Sequence, residues 1–310
     1  MTAALPERVT LVEVGPRDGL QNESAFVPTD VKVALIETLV AAGLTHIEAT
    51  SFVHPKAIPQ LADAVEVAGR LPRHPGVTFS ALVPNQTGLE RAIAAGMKRI
   101  AVFTAASESF TQRNIRMSID ESLATFEPVV REALDRGMSV RGYVSTCFVC
   151  PFEGEIDPAR VLDVARRLLT MGVDQVAISD TIGAAAPTDV ERLLGVLLRE
   201  TPVERIALHF HDTYGTALAN IVAGLRLGVT CFDASVGGLG GCPYAPGASG
   251  NVATEDVVYL LERMGVHTGV SIEKLREAGS IVAKHLGREL NSRQARLCLT
   301  GAVRSGTVSS

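Results

Sequence analysis

No stretch of the sequence approaches the roughly 20 consecutive apolar residues that a helix needs to cross a bilayer. The first eight residues include a glutamate, Glu7, and have no apolar core of the kind that a signal peptide requires. We therefore expect neither a membrane partner nor a secretory leader.

An excess of positive charge is also missing. Lys and Arg together number 29 against 34 for Asp and Glu, which gives a net charge of −5. The basic residues form no stripe, and a nucleic-acid-binding protein needs such a stripe to offset the repulsion between its acidic groups and the phosphates. Nucleic acid is therefore not an expected partner.

Cysteine is scarce, with 5 residues in a chain of 310. That number is too small for a disulfide framework in a chain this long, and an odd count favours reduced thiols. Cys147 and Cys150 have the C-x-x-C spacing without a second pair, so we interpret them as packed thiols, and Cys298 receives no role. With 46% hydrophobic and 20% charged residues, the composition indicates a folded cytoplasmic protein rather than a disordered chain.

The sequence contains a repeated alternation of strand and helix. Short runs rich in Val, Ile and Phe predict eight strands, at 9–15, 46–52, 78–83, 99–105, 140–146, 175–180, 205–211 and 231–236. Longer segments with apolar residues at helical spacing separate them. A glycine followed by an apolar residue, typical of a Schellman helix end, precedes five of the strands, at Gly43, Gly96, Gly137, Gly172 and Gly228. One connection used five times indicates one structural unit that is repeated.

Eight such units in a chain of this length predict an α/β fold, the (β/α)8 TIM barrel, for which about 250 residues is typical. An open doubly wound sheet is the alternative, but the first strand–helix turn, Gly15–Gly19, lacks the glycine fingerprint that binds dinucleotides. We expect a single catalytic domain over 1–310. Its barrel is expected at about 9–268, with extra C-terminal helices at about 271–300 and a polar tail at 302–310.

Ionisable side chains stand at the carboxyl ends of the predicted strands, where the active site of a TIM barrel lies. Burying charge inside a barrel is costly unless the charge is paired or binds a metal. One such residue is explained by a structural ion pair, but a set on one rim predicts a functional site. The set consists of Arg17, Asp18, Glu48, Asp180, His209 and His211.

His209 and His211 are two residues apart in a strand, so their side chains project to the same side. Two ordinary histidines at a strand end are the alternative interpretation. The carboxylate of Asp18 completes a mixed set of nitrogen and oxygen ligands, which suits Mg²⁺ or Mn²⁺ better than structural zinc with its thiolates. The pattern therefore predicts a divalent metal site.

The glycine-rich segment 237–251 follows the last strand and contains Cys242. Pro243 stands where a dinucleotide loop has its third glycine, so this is not expected to be such a loop. So many glycines predict a mobile lid over a ligand, with a cysteine exposed enough to react. An idle thiol on a flexible turn is the alternative.

Several segments together resemble the 3-hydroxy-3-methylglutaryl-CoA (HMG-CoA) lyases of the DRE-TIM metallolyase group. The resemblance extends from about residue 6 to residue 299 in the same order. Arg-Asp after the first strand and the His-x-His pair mark the wider group, and the cysteine loop favours the lyases. The segments are VGPRDGLQNE at 14–23, IEATSF at 47–52, DTIG at 180–183, HFHDTYG at 209–215 and GGLGGCPY at 237–244.

This resemblance implies a retro-aldol (Claisen-type) cleavage of HMG-CoA to acetyl-CoA and acetoacetate, as in leucine degradation, by a homodimer. It implies that four residues bind the metal: Asp18, His209, His211 and Asn251. It further implies catalytic or substrate-contacting roles for Cys242, Arg17, Glu48 and Asp180, with Arg17 binding substrate. The chemistry of such a cleavage itself requires a general base, for which His209 or a neighbouring carboxylate is the candidate. Residues 85–88 depart from the family pattern, because relatives often have a lysine in this segment. If that lysine holds the CoA phosphates, another basic residue must do so in this chain.

Three alternatives remain at this point. A related lyase acting on another 3-hydroxy-acyl-CoA, such as citramalyl-CoA or an isoprenoid analogue, would keep every residue named. A condensing synthase of the isopropylmalate or homocitrate type shares the Arg-Asp and His-x-His elements, but usually lacks the cysteine loop and carries additional C-terminal domains. A non-catalytic scaffold leaves the polar rim unexplained.

Overall fold

The computed structural model describes residues 5–241 and 250–299, apart from the side chains of 298 and 299. Its barrel strands are β1 (Thr10–Glu13), β2 (His46–Ser51), β3 (Thr78–Leu82), β4 (Arg99–Ala105), β5 (Ser139–Ser145), β8 (Gln175–Asp180), β9 (Ile206–Phe210) and β10 (Cys231–Ala234). They are parallel neighbours in that order, and β10 pairs with β1 to close the barrel. The strands β6 (Val149–Cys150) and β7 (Gly154–Glu155) form a small antiparallel hairpin outside it. The predicted (β/α)8 barrel is confirmed.

Helices connect the strands and cover the outside of the barrel. They are α1 (Thr29–Ala41), α2 (Ala64–Gly69), α3 (Gln86–Ala94), α4 (Glu108–Asn114), α5 (Ile119–Asp135), α6 (Pro158–Thr170), α7 (Pro187–Leu197), α8 (Ala217–Arg226) and α9 (Thr254–Arg263). Beyond them, α10 (Ile272–Leu286) packs against α1 and α11 (Arg293–Leu299) against α9, so the expected extra C-terminal helices are present. None of the helices in the described part of the chain is both long and apolar enough to cross a membrane. The predicted tail at 302–310 lies outside the described residues.

The five helix-ending glycines behave as their sequence context predicts. All five adopt a positive φ, between 70° and 102°. At the first of them, the Gly43 N–H donates to the carbonyl of Val40 and the Leu44 N–H donates to the carbonyl of Leu39, which is the paired hydrogen bonding of a Schellman motif. Each of these five helices thus ends next to a glycine that turns the chain back toward the following strand.

Side chains alternate between the two faces of each strand, as strand geometry requires. Outward-facing residues such as Leu11 and Ile47 pack against the helices in the main core. The apolar part of the barrel interior is formed by Val12, Val14, Leu82, Ala101, Phe103, Tyr143, Ala177, Ala207 and Cys231. Three of these interior residues are alanines, which leaves room for a long polar side chain in the same layer.

That side chain is Arg141, which faces inward from β5 and is 3% exposed. Its Nη2 lies 2.7 Å from Oδ1 of Asp233, which is 2% exposed on β10. The other carboxylate oxygen of Asp233 lies 3.1 Å from Nδ1 of His209, its register neighbour on β9. A buried carboxylate between two nitrogen partners therefore links β10 to its neighbour β9 and, across the barrel interior, to β5.

Replacing Arg141 by Met is expected to lower the free energy of unfolding by about 3–5 kcal/mol, because the Asp233 carboxylate remains buried without its cation. The matched control is Arg99→Met on the neighbouring strand, whose partner Asp174 has a side chain that is 39% exposed. That variant is expected to lose about 1 kcal/mol or less. Urea unfolding followed by circular dichroism measures both, and equal losses would contradict the assigned importance of the interior pair.

Candidate active site

A tight turn after β1 brings two charged residues to the mouth of the barrel. In the π-helical turn Gly15–Gly19, the N–H groups of Arg17, Asp18 and Gly19 all donate to the carbonyl oxygen of Val14, at 3.2, 2.7 and 3.1 Å. Because three successive amides converge on one oxygen, the turn is compact and the Arg17 and Asp18 side chains are held side by side. Their salt bridge measures 2.7 Å.

The two histidines project to the same side, as their spacing predicts. The rings of His209 and His211 are buried, and their centroids lie 5.2 Å apart. An isolated β-bridge joins His211 to Asn251, which brings the amide of Asn251 to the same place. Asn251 Nδ2 donates to Oδ2 of Asp18 over 2.8 Å, and Nε2 of His211 lies 3.9 Å from the same oxygen. Four predicted site residues therefore meet here.

Asp18, His209 and His211 each offer one ligand atom, and these atoms lie within 4.8 Å of one another. Among the described residues, Nδ1 of His211 is buried without a hydrogen-bond partner and Nε2 lies near the Asp18 carboxylate, so this imidazole has a nitrogen free to bind a metal. Asp233 holds the ring of His209, an arrangement typical of metal-ligating histidines. Asn251 presents its nitrogen to Asp18, and rotation of its amide would present the oxygen. The residues thus fit a divalent cation.

The protonation states also suit metal binding. Burial alone would raise the pKa of Asp18, but the charge of Arg17, the two imidazoles and the Asn251 hydrogen bond outweigh it and lower that pKa to about 2. Burial, reinforced by the neighbouring His209, lowers the pKa of His211 to about 4. At neutral pH the first group is an anion and the second a neutral imidazole, the forms that bind metals.

Glu48 fixes the position of the Arg17 guanidinium. Nε of Arg17 donates to Oε2 of Glu48 over 2.6 Å, and the guanidinium lies 5.5 Å from the centroid of the Tyr143 ring. The Tyr143 hydroxyl donates to the same Glu48 oxygen over 3.3 Å and accepts from Nη1 of Arg141 over 3.1 Å. A continuous chain of polar contacts therefore runs from the interior ion pair of Arg141 to the carboxylate of Asp18.

A cavity of about 440 Å³ opens at this end of the barrel. Arg17, Asp18, His209 and His211 are in its wall. Apolar side chains also line it, from Val53, Ala57, Ile58, Leu82, Phe103 and Phe110, beside uncharged polar residues such as Gln60, Asn114 and Ser145. The cavity thus offers both charged groups and hydrocarbon to a small molecule.

Asp180 does not face this cavity. It lies on the outer face of β8 with Ile178, whereas Ser179 faces inward and lines the cavity. The Asp180 carboxylate accepts the backbone N–H groups of Ala184 and Ala185 at 3.0 and 2.9 Å. Burial raises its pKa to about 6, against the effect of these hydrogen bonds. Its catalytic role stays a prediction, and in the structure it holds the loop after β8.

Sequence reasoning missed three residues that support the site: Arg141, Tyr143 and Asp233. Each is a polar residue at an inward-facing position of a strand whose other residues are mostly apolar, and that was the available signal. Gln21 was also missed. Its Nε2 donates to Oδ1 of Asp18 over 3.0 Å, and the residue lines the cavity.

The four cysteines considered in the sequence analysis divide into two groups. Cys147 and Cys150 are both 1% exposed; the first donates to the Val144 carbonyl over 3.0 Å, and Sγ of the second lies 3.0 Å from Oγ of Ser107. Their interpretation as packed thiols is confirmed. Cys242 and the side chain of Cys298 lie outside the described residues, although Gly241 lines the cavity.

Comparisons with known proteins agree with this geometry. Residues 8–282 match the family model described as HMGL-like. The mitochondrial hydroxymethylglutaryl-CoA lyase of Bos taurus is 52% identical over 290 residues, which cover 94% of this chain and 89% of that one. The crystal structure of hydroxymethylglutaryl-CoA lyase from Pseudomonas aeruginosa is similar with a TM-score of 0.94 and 50% identity, covering 96% of this chain and 99% of that one.

A further similar structure is an HMG-CoA lyase from Acinetobacter baumannii in complex with coenzyme A and 3-methylmalate. Its TM-score is 0.91 at 38% identity, with 99% of each chain covered. Family model, sequence relatives and solved structures therefore agree over nearly the whole length. The chain belongs to the HMGL-like family and is a lyase of the hydroxymethylglutaryl-CoA lyase type.

Proposed function

We propose that this lyase cleaves HMG-CoA to acetyl-CoA and acetoacetate in the cavity at the barrel mouth. The observation that carries the proposal is the placement of the triad Asp18, His209 and His211 beside the Arg17 guanidinium, in a cavity that also has apolar side chains in its wall. The charged groups suit the carboxylate and hydroxyl of this substrate, and the apolar side chains suit its methyl group. An acyl-CoA thioester is accordingly the proposed partner.

The proposed cofactor is Mg²⁺ or Mn²⁺, held by Asp18, His209, His211 and Asn251. When bound, such a cation lowers the pKa of the substrate hydroxyl and fixes its orientation. The protein contributes an ionised Asp18 and, through Asp233, a fixed orientation of the His209 ring. The mixed nitrogen and oxygen ligands favour these hard cations over structural zinc.

The reaction begins with loss of the proton from the tertiary hydroxyl. His209 or a neighbouring carboxylate takes that proton, the C2–C3 bond breaks, and its electron pair moves into the enolate of the acetyl-CoA thioester. Because Asp233 contacts Nδ1 of His209, one ring nitrogen remains to face the cavity. That nitrogen binds the cation or takes the proton, but does not do both at once.

The second half of the reaction protonates the carbanion. Arg17 donates to the developing enolate oxygen, and Glu48 holds the guanidinium in place for that contact. Cys242 gives its thiol proton to C2, which yields acetyl-CoA. For Asp180 we propose a positioning role, since both of its carboxylate oxygens hold backbone amides of the adjacent loop.

The proposal also includes a cytoplasmic homodimer in which residues 1–310 form one catalytic domain. The three cysteines described with side chains, Cys147, Cys150 and Cys231, are free thiols, which supports a reducing compartment. Light scattering coupled to size-exclusion chromatography gives the subunit number directly.

Removal of metal tests the reaction itself. Enzyme treated with EDTA is expected to release neither acetyl-CoA nor acetoacetate from HMG-CoA, and added Mg²⁺ or Mn²⁺ is expected to restore both. Coupled assays for the two products measure this, with citramalyl-CoA as a comparison substrate. Full activity of the chelated enzyme would falsify the proposed metal dependence, and faster cleavage of citramalyl-CoA would overturn the proposed substrate.

Asp18→Asn tests the metal ligands without relying on turnover. The variant is expected to bind Mn²⁺ at least about tenfold more weakly, because loss even of residues that only support metal ligands costs 10–100-fold. The control is Asp30→Asn, whose side chain is 85% exposed at the start of α1. Titration calorimetry with Mn²⁺ measures both variants, and an unchanged affinity in Asp18→Asn would show that the triad is not the metal site.

Cys242→Ser tests the protonation step. The variant is expected to lower kcat by about 10²–10⁴-fold, the usual contribution of a positioned proton donor, and to bind Mn²⁺ as tightly as the parent enzyme. The control is Cys147→Ala, which removes a buried thiol and is expected to keep kcat. Steady-state kinetics with reduced enzyme decides the question; full turnover in Cys242→Ser removes this cysteine from the mechanism.

A further inference from the structure

Two fully buried carboxylates, Glu13 and Glu255, lie outside the metal triad. Glu13 is the last residue of β1, and its register neighbours on the adjacent strands are Ile47 and Ala234. All three residues face the apolar core between the barrel and its helices. An acid at such a position is costly unless its oxygens are fully engaged.

The Glu13 carboxylate is engaged by three separate segments of the chain. Oε1 accepts the N–H groups of Gly15 and Val236, both at 2.8 Å, and Oε2 accepts the hydroxyl of Thr254 at 2.7 Å. Gly15 begins the turn that carries Arg17 and Asp18. Val236 begins the turn Val236–Gly238, from which the chain continues to the cavity edge, and Thr254 follows shortly after the metal-site asparagine. One carboxylate thus joins the segments that build the site.

Glu255 completes this arrangement from the first turn of α9. Both of its oxygens accept the N–H of Gly237, at 3.0 and 2.9 Å. Two successive amides of the turn Val236–Gly238 are therefore held by two different buried acids. Gly15 permits the approach of Glu13, because a Cβ at that position would lie 2.5 Å from Oε1.

We propose that Glu13 and Glu255 are positioning residues of the lyase site. They fix the distance between the segment of Asp18 and the segment of Asn251, and they hold the turn Val236–Gly238 between them. The proposal rests on the proposed function, since that function assigns these segments to one catalytic site. Neither acid lines the cavity among the described residues, so neither is expected to touch substrate.

The pair also makes stability depend on pH. Burial raises the pKa of Glu13 to about 7, against its three hydrogen bonds, and raises that of Glu255 to about 8, with Glu13 and Asp256 adding to the shift. In the folded protein these groups therefore keep protons that they lose in the unfolded chain above about pH 4.5. Since the folded state binds more protons at these two groups, their contribution to stability falls as pH rises from that value toward 8.

Three variants of the metal-loaded enzyme separate positioning from other roles. Glu13→Ala removes the acceptor and is expected to lower kcat and weaken Mn²⁺ binding, each about 10–100-fold, as for other residues that support metal ligands. Glu13→Gln is expected to keep both within about threefold, because its amide oxygen can accept the Gly15 and Val236 amides while its NH₂ donates to Thr254. Glu37→Ala, an exposed glutamate on α1, is the control and is expected to match the parent enzyme.

Hydrogen exchange gives a readout that is independent of activity. The amides of Val236 and Gly237 are expected to exchange faster in Glu13→Ala than in the parent enzyme. In Glu37→Ala their exchange rates are expected to be unchanged. Should Glu13→Ala fail to fold, Thr254→Val removes one donor with little change of shape and is expected to show the same faster exchange at Val236. The midpoint temperature of thermal unfolding of the parent enzyme is expected to decrease as the pH is raised from 6 to 9. In Glu13→Gln the decrease is expected to be smaller.

The outcomes that overturn the proposal differ from those that overturn the lyase function. If the parent enzyme does not cleave HMG-CoA, the proposed function fails, while exchange and Mn²⁺ affinity still decide whether these acids position the site. Unchanged exchange at both amides in Glu13→Ala overturns the positioning role. So does a Glu13→Gln variant as impaired as Glu13→Ala, because a hydrogen-bond acceptor is then not what the site requires.

Discussion

Asp233 receives two partners in the interior of the barrel, the guanidinium of Arg141 at 2.7 Å and the imidazole of His209 at 3.1 Å. Without the cation, a buried carboxylate would be strongly destabilising. Without the carboxylate, nothing among its described hydrogen bonds would fix the ring of His209. The interior ion pair therefore serves both the stability of the barrel and the orientation of a proposed metal ligand.

From this pair the polar contacts extend to the cavity through Tyr143, Glu48 and Arg17. Each member is held by the next, so the guanidinium and the Asp18 carboxylate reach the cavity in a fixed arrangement. Preorganised groups of this kind stabilise charge that develops in a reaction without first having to reorient. On the outer side of the strands, Glu13 and Glu255 hold the backbone of the same site through amide and hydroxyl donors.

The sequence was sufficient for the architecture and for part of the site. Repeated strand–helix units and the glycine ends predicted the barrel, because these signals are local and recur along the chain. The two-residue spacing of His209 and His211 likewise predicted their shared side. Asp180 shows the limit of such reasoning, since a position at a strand end does not say which face of the strand the side chain occupies.

Residues whose partners are distant in sequence could not be found in that way. Arg141 and Asp233 are separated by 92 positions, and Glu13 and Val236 by 223. Their pairing depends on barrel closure and on strand register, which are set by the packing of all the strands together. A lone acid or base in a mostly apolar strand was the visible signal, and Glu13, Arg141 and Asp233 each proved to link separate segments.

The roles proposed for the site depend on a divalent cation held by Asp18, His209 and His211 at the mouth of the barrel. A crystal structure of the enzyme grown with Mn²⁺, with anomalous diffraction recorded at the manganese edge, would locate that cation. We expect one dominant anomalous peak among these three side chains, with the Asn251 oxygen turned toward it. A peak elsewhere in the molecule, or no peak in crystals of catalytically active enzyme, would show that these residues are not the metal site.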